Sequence, residues 1–302
     1  IMICGYHGWH DWYLATNISN EQNLNNQLLP GLIPEGVPRG LKNTVIPFNF
    51  NSFEDLENIV KKKARNCAAI IMEPARNSIA NKLFLKEIRK IATKNNCVLI
   101  FDEITSAWRN DTSGIHKELG INPDLATFGK TMANGIPIAA LIGKKKIMEK
   151  AVDTFISSTN WTERLGPSCA VAFIKKHKRL NLGKILKEKG KKIRNIWTRS
   201  AENASLQIDI NGILPLSNFK IQTKNKNDWP ISITYFIQEM LKEGILASDR
   251  CYSNYCQSDE LLHIYEKACS KIFKNISFYL SKNKLKEKLN GPIKQMGFKR
   301  LT

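Results

Sequence analysis

An α/β fold with a mostly parallel sheet is predicted by three observations. Short apolar, β-branched runs at 68–72, 97–101 and 125–128 have the length of buried strands. They stop at chemically loaded positions: Glu73-Pro74, Asp102-Glu103 and Gly129-Lys130. Stretches of helical periodicity at 53–65 and 83–95 lie between them, and strands alternating with helices build a parallel sheet. In open sheets of this kind, ligands bind in the crevice outside the carboxyl ends of the strands. The stretch CVLIFDEITSAWRNDTSGIHKELGINPDLATFGKTMANGIP, residues 97–137, therefore organises the chain.

Taken in order, 1–4 reads as a strand and Gly5-Tyr6-His7-Gly8 as its exit turn. On its own, Tyr6 reads equally as a packed core tyrosine at a strand end. His7, His10 and Asp11 do not make a metal site, because two histidines three apart lack a third ligand of the usual type. Residues 9–42 are rich in Asn, Pro and Gly without periodicity, and a connection that long is usually functional, often a lid. Ser52 is placed to cap the helix at 53–65, whose Phe53, Leu56, Ile59 and Val60 share one stripe. After the strand at 68–72 comes the turn Ala75-Arg76-Asn77, then the helix at 83–95 and the central strand. Asn134-Gly135-Ile136-Pro137 is a turn, 138–142 a strand and 144–152 a helix. A hydroxyl-rich stretch at 155–162 precedes a helix opened by Pro167.

From about Lys175 the texture changes. A long basic helix at 173–200 leads to alternating runs at 206–210 and 219–222, and then to helices at 230–243 and 259–280. The expected division is a large domain over 1–174 and a smaller α+β C-terminal domain over 175–302, without a low-complexity linker.

A chain of 302 residues can bury the cores of two domains, and no apolar run approaches the length of a membrane span. Nothing resembles a signal peptide, and the seven cysteines are scattered without zinc spacing. That usage suits the reduced thiols of a cytoplasmic protein. The net charge of +19 gathers at 144–150, 175–199 and 282–299, at helical spacing between apolar residues. Without interleaved aromatics or a recognition module, these clusters read as solvated helix faces rather than a nucleic-acid surface. Gly129-Lys130-Thr131 imitates the end of a P-loop, but Asp124 stands where the first glycine is required. No G-x-S-x-G elbow or G-x-G-x-x-G fingerprint is present.

An acid at one strand end and a lysine at a nearby one are what a pyridoxal phosphate site needs. The amine forms a Schiff base with the cofactor aldehyde, while a carboxylate keeps the pyridinium nitrogen protonated so that the ring draws in electrons. Taken in isolation, Asp102-Glu103 reads equally as a helix cap and Lys130 as a surface charge. The neighbouring motifs shift that balance. FDEITSAWR followed by PDLATFGKTMANGIP resembles the active-site core of class III pyridoxal-phosphate aminotransferases, within them the glutamate-1-semialdehyde 2,1-aminomutase branch. GYHGWHDW and SSTNWTERLGPSCA resemble further motifs of that family in the same order, and the likeness extends to the tail GPIKQMGFKRL.

The resemblance implies a fold-type-I pyridoxal-phosphate transferase, active as a homodimer with shared sites. It implies that Lys130 is the Schiff-base lysine and proton-moving base, and that Asp102 partners the pyridinium. Tyr6 would stack on the cofactor ring, with Ile104 on the opposite face. His7 and Glu73 would belong to the cofactor site, and Asn77 would serve the phenolic oxygen from a turn one residue shorter than in the aminomutases. Thr162, five residues before Pro167, would reach the phosphate of a partner's cofactor; as a residue type it reads equally as a helix N-cap. The 9–42 segment would be a mobile loop over the site.

The chain departs from the family pattern at Glu163-Arg164-Leu165-Gly166, where small Ser-Gly-Asn is usual. With Trp161 beside it, this favours general amino transfer between a small amino donor and a carbonyl acceptor, a keto-sugar included. The aminomutase proper, which makes a tetrapyrrole precursor, is the alternative. In the family the phosphate cradle precedes GYHG, and nothing before Tyr6 does that job, so an N-terminally truncated chain is expected. A remnant that holds no cofactor is the remaining alternative.

Overall fold

The computed structural model of the chain describes residues 1–27, 30–63 and 66–298. The ends of the helix expected at 53–65 and of the basic cluster expected at 282–299 lie outside them, as does part of the GPIKQMGFKRL tail. Two units are present: Ile1–Leu180 with Gly297 and Phe298, and Asn181–Met296.

In the first unit, six strands form one sheet: β1 (Met2–Cys4), β2 (Ile46–Pro47), β3 (Ala69–Met72), β4 (Val98–Asp102), β5 (Leu125–Phe128) and β6 (Ala140–Gly143). Their order is β2-β1-β3-β4-β5-β6; the first five are parallel and β6 is antiparallel to β5. Alternation along each strand divides the core. Met2, Ile70, Met72, Leu99 and Phe101 pack with Leu56 of α2 (Phe53–Lys63) and Phe84, Leu85 and Ile88 of α3 (Lys82–Lys94). Ile3 faces the other way, against Tyr13, Leu24, Leu32 and Val45. Each such apolar side chain, once fully buried, contributes about 1.5–3 kcal/mol.

Local signals fix these elements. Ser52 Oγ accepts the Asp55 N–H at 3.2 Å, capping α2 as expected, and Asn81 caps α3 by accepting the Leu83 N–H at 2.8 Å. Asp124, the residue that breaks the P-loop pattern, ties β4 to the entrance of β5. It accepts from Leu99 N (2.8 Å) and Arg89 Nη1 (2.8 Å) and pairs with Lys144 Nζ (2.6 Å).

The described residues of the 9–42 segment, all but 28 and 29, hold more regular structure than its composition suggests. It holds α1 (Asp11–Leu14) and 3-10 turns at Ala15–Asn17 and Arg39–Leu41. Buried Asn17 ties its two halves together, donating to Leu32 O at 2.7 Å and accepting from Leu24 N at 2.9 Å. With Tyr13 and Leu24 fully buried, this part is a wall packed on the sheet.

Further on, α4 (Ile115–Leu119), α5 (Lys145–Met148) and α6 (Leu165–Leu180) complete the unit. The helix expected at 144–152 turns 3-10 after Met148, and α6 begins at Leu165, two residues before Pro167. The long helix expected at 173–200 is two helices, α6 and α7 (Leu182–Glu202), because Asn181 between them takes the left-handed conformation (φ 48°). The junction expected at 174/175 falls within α6.

The second unit is α+β. β7 (Ile208–Asn211), β8 (Leu216–Ile221) and β9 (Arg250–Tyr252) form an antiparallel sheet in that order, packed with α7, α8 (Asp228–Lys242) and α9 (Asp259–Ser281). Trp197, Phe219, Phe236 and Phe273 fill its core, and the indole N–H of Trp197 donates to Tyr265 Oη at 2.8 Å. Gly190 lets α7 approach the loop before β8, since a Cβ there would stand 2.1 Å from Leu214 O.

Candidate active site

The carboxyl ends of β1, β3, β4 and β5 carry the chemistry-bearing residues. Asp102 ends β4 opposite Thr127 of β5, and Lys130 follows β5 by two residues. Both oxygens of Asp102, a residue only 5% exposed, are engaged. Oδ1 accepts the Ile104 N–H at 3.1 Å, and Oδ2 lies 2.9 Å from His7 Nδ1. A carboxylate on that nitrogen selects the Nδ1–H tautomer of His7. The sheet order puts β3 between β1 and β4, so His7 reaches Asp102 across the end of an intervening strand.

Glu103 has a different role. It is fully buried and spends its carboxylate on Ser106 Oγ, Ile115 N (3.0 Å), His116 N (2.9 Å) and His116 Nδ1 (2.8 Å). Its acceptors are committed to holding the start of α4.

Lys130 adopts φ 45°, a left-handed conformation that a non-glycine residue takes at a cost. The residue stands on an accessible turn, but its Nζ donates to the buried Thr105 Oγ1 at 3.1 Å. Desolvation around the amine holds its pKa below the ordinary lysine value. Asp102 and Glu73 pull it back up, while Arg76 and Arg109 push it further down. A Cβ built on Gly129 would lie 3.6 Å from Ile104 Cγ2, so Ile104 stands against the residue preceding the lysine.

Tyr6 is half-buried in an aromatic box, edge-on to Trp9 (centroids 5.2 Å) and Tyr13 (5.8 Å). Its N–H donates to Glu73 Oε2 at 3.0 Å, the oxygen that also accepts from Arg76 Nη1 at 3.0 Å.

Tyr6, His7, Glu73, Asp102, Ile104 and Lys130 are thus linked, directly or through each other's electrostatic influence. Asn77 is exposed and lines a cavity of about 130 Å³ shared with Glu73 and Arg76. Thr162 is not brought to this cluster; it lies in an exposed turn at 159–162. Thr105 and Arg76 escaped the sequence reading. Thr105 lies within FDEITSAWR and Arg76 within the turn after β3, but nothing in the residue type of either marks a role, and each matters through the turn that follows its strand.

Comparison with known proteins gives this arrangement a context. Residues 3–280 match the Aminotransferase class-III family. The chain belongs to that family. A 3-aminobutyryl-CoA aminotransferase of Cloacimonas acidaminovorans is 31% identical over 72% of this chain and 50% of its own length. A glutamate-1-semialdehyde 2,1-aminomutase of Clostridium acetobutylicum is 37% identical over 48% of this chain and 34% of its own. The chain therefore spans about half the length of the first relative and about a third of the second. An omega-transaminase from Sphaerobacter thermophilus superposes with a TM-score of 0.79 at 18% identity, covering 91% of this chain and 68% of that one. The fold is that of this solved transaminase.

The donor set suits a pyridoxal-type group. Such a group needs an amine more readily neutral than a solvated lysine, and Lys130 is one. It also needs an acid that cannot rotate away, and Asp102 is clamped at both oxygens.

Proposed function

We propose that the chain carries the catalytic centre of a pyridoxal-phosphate-dependent aminotransferase. The observation behind this reading is the placement of Asp102 and Lys130 at the carboxyl ends of adjacent parallel strands, with the amine depressed by desolvation. Pyridoxal phosphate, when bound, supplies an electron sink that stabilises negative charge at the substrate carbon.

The chain's own residues do the rest. Lys130 is the amine that would hold the cofactor, and its Nζ would carry the proton to and from the substrate carbon; its lowered pKa keeps it neutral at a lower pH than a free lysine. Asp102, oriented by His7 and the Ile104 amide, would keep the cofactor's ring nitrogen protonated. Tyr6 and Ile104 would shelter the cofactor ring from water. Asn77 would serve the cofactor's phenolic oxygen, and Glu73 fixes the backbone that carries Tyr6.

Thr162 acts across a two-fold interface in a homodimer. An exposed stretch that includes Phe155 (99% exposed) and Trp161 (64%) supports that reading. Seven unpaired cysteines suit a cytoplasmic setting, and no helix among the described residues is long and apolar enough to cross a membrane.

Transfer to an external carbonyl acceptor, a keto acid or keto-sugar, is favoured over an internal amino shift. The bulk of Trp161 and Arg164 beside Thr162 supports this. Borohydride treatment with pyridoxal phosphate, followed by peptide mapping, should find the label on Lys130; labelling of Lys144 or another lysine instead would sink the assignment. Product amine should form only when an acceptor is supplied. Efficient conversion of glutamate-1-semialdehyde to 5-aminolevulinate with no acceptor would make the protein an aminomutase.

A further inference from the structure

Arg76 acts on Lys130 only through its charge, yet its setting is costly. It sits in the small hairpin after β3, where its N–H donates to Ser78 O at 3.0 Å and Ala75 bridges Ile79. Nη1 is held by Glu73, and Cζ stands 5.8 Å from the centroid of the Tyr6 ring. Nε, by contrast, is buried with no hydrogen-bond partner. A guanidinium N–H taken out of water without an acceptor is unfavourable, and an orphan beside a cavity leaves room for an acceptor from a ligand. The side chain is 22% exposed and lines the cavity of about 130 Å³ beyond β1 and β3. The other polar groups there are Asn26, Gln27, Asn77 and Ser78, all neutral. The cavity's one acid, Glu73, is already shared between Arg76 and the Tyr6 amide.

We propose that Arg76 is a specificity-determining residue that receives an oxyanion of the substrate, a carboxylate or a phosphate. This rests on the aminotransferase reading. Glu73 pins one arm of the fork, so the guanidinium plane is fixed before the ligand arrives, and a planar bidentate acceptor matches its remaining edge. Because Glu73 cancels much of the charge, selection works through hydrogen-bond geometry more than through net attraction. The Arg76 charge also acts on Lys130, which ties occupancy of this cavity to the reactive amine.

Calorimetric titration of the chain with glutarate and, separately, with inorganic phosphate tests the proposal. At least one anion should bind the parent and bind Arg76→Gln at least about tenfold more weakly. Arg76→Lys, which keeps the charge beside Glu73 but loses the fork, should also bind more weakly while melting close to the parent. That variant decides the matter if Arg76→Gln fails to fold. A glutarate preference assigns the oxyanion to an amino or keto acid, and a phosphate preference to a phosphorylated acceptor.

Equal anion affinity in parent and folded variants, or no binding to the parent, overturns the proposal. Phosphate binding that vanishes once pyridoxal phosphate is fixed by borohydride, with no glutarate binding, assigns the anion to the cofactor and overturns it as well. Absence of label on Lys130 alongside Arg76-dependent glutarate binding would sink the cofactor reading while the anion site stands.

Discussion

Two adjacent carboxylates, Asp102 and Glu103, show how a single step along the chain separates chemistry from architecture. Asp102 is clamped by one ring nitrogen and one amide, whereas Glu103 holds four donors at the start of α4. Asp102→Asn should therefore fold and still accept pyridoxal phosphate on Lys130, with amino transfer falling by roughly two orders of magnitude or more. Near-parental turnover in that variant would contradict the assigned role. Glu103→Gln should instead lose about 3 kcal/mol or more of stability in urea, because buried donors lose their charged acceptor. The same pair of sites gives a pH prediction. Asp102 raises the Lys130 pKa against the dominant lowering by desolvation. Removing its charge should move the midpoint for trapping pyridoxal on Lys130 to still lower pH, measured as a borohydride-labelling profile. A shift upward would mean that Asp102 does not act on the amine. None of this pairing is visible in sequence, where His7 and Asp102 are 95 residues apart; only the order β1-β3-β4 lets one reach the other.

Among the elements, legibility followed the strength of local signals. The strands β3, β4 and β5 are apolar and β-branched up to a charged end, and α9 has a serine cap and unbroken periodicity, so all four were readable. β9 was not, because three partly exposed residues, Arg-Cys-Tyr, carry no period. The break between α6 and α7 was equally silent. Apolar and basic residues recur through it at helical spacing and hide Asn181, a residue type that takes the left-handed conformation more readily than most. Gly190 illustrates an override of propensity by packing. On an exposed helix, Gly→Ala gains about 1 kcal/mol, but here the added methyl would stand 2.1 Å from the Leu214 carbonyl oxygen. Backbone cannot yield as a flexible side chain does, so Gly190→Ala should destabilise by about 1–3 kcal/mol and lower the melting temperature by several degrees. An unchanged or raised melting temperature would show that α7 can shift away.

For the whole molecule, the homodimer reading predicts twice the chain mass of 34.3 kDa in sedimentation. Phe155→Glu and Trp161→Glu should weaken that assembly without unfolding either unit, because both side chains are exposed in the single chain. A monomer that retains full amino transfer would refute the shared-site reading. The left-handed backbone at Lys130 reaches just as far. A side chain is held there in a conformation that favours glycine, and its amine is partly stripped of water, so the lysine proposed to carry the chemistry costs the fold stability. Lys130→Gly should accordingly outlast Lys130→Ala on heating by about 1 kcal/mol and melt above the parent, while transferring no amino group. The parent's heat tolerance would then be a compromise in which durability has been given up for reactivity at one backbone angle.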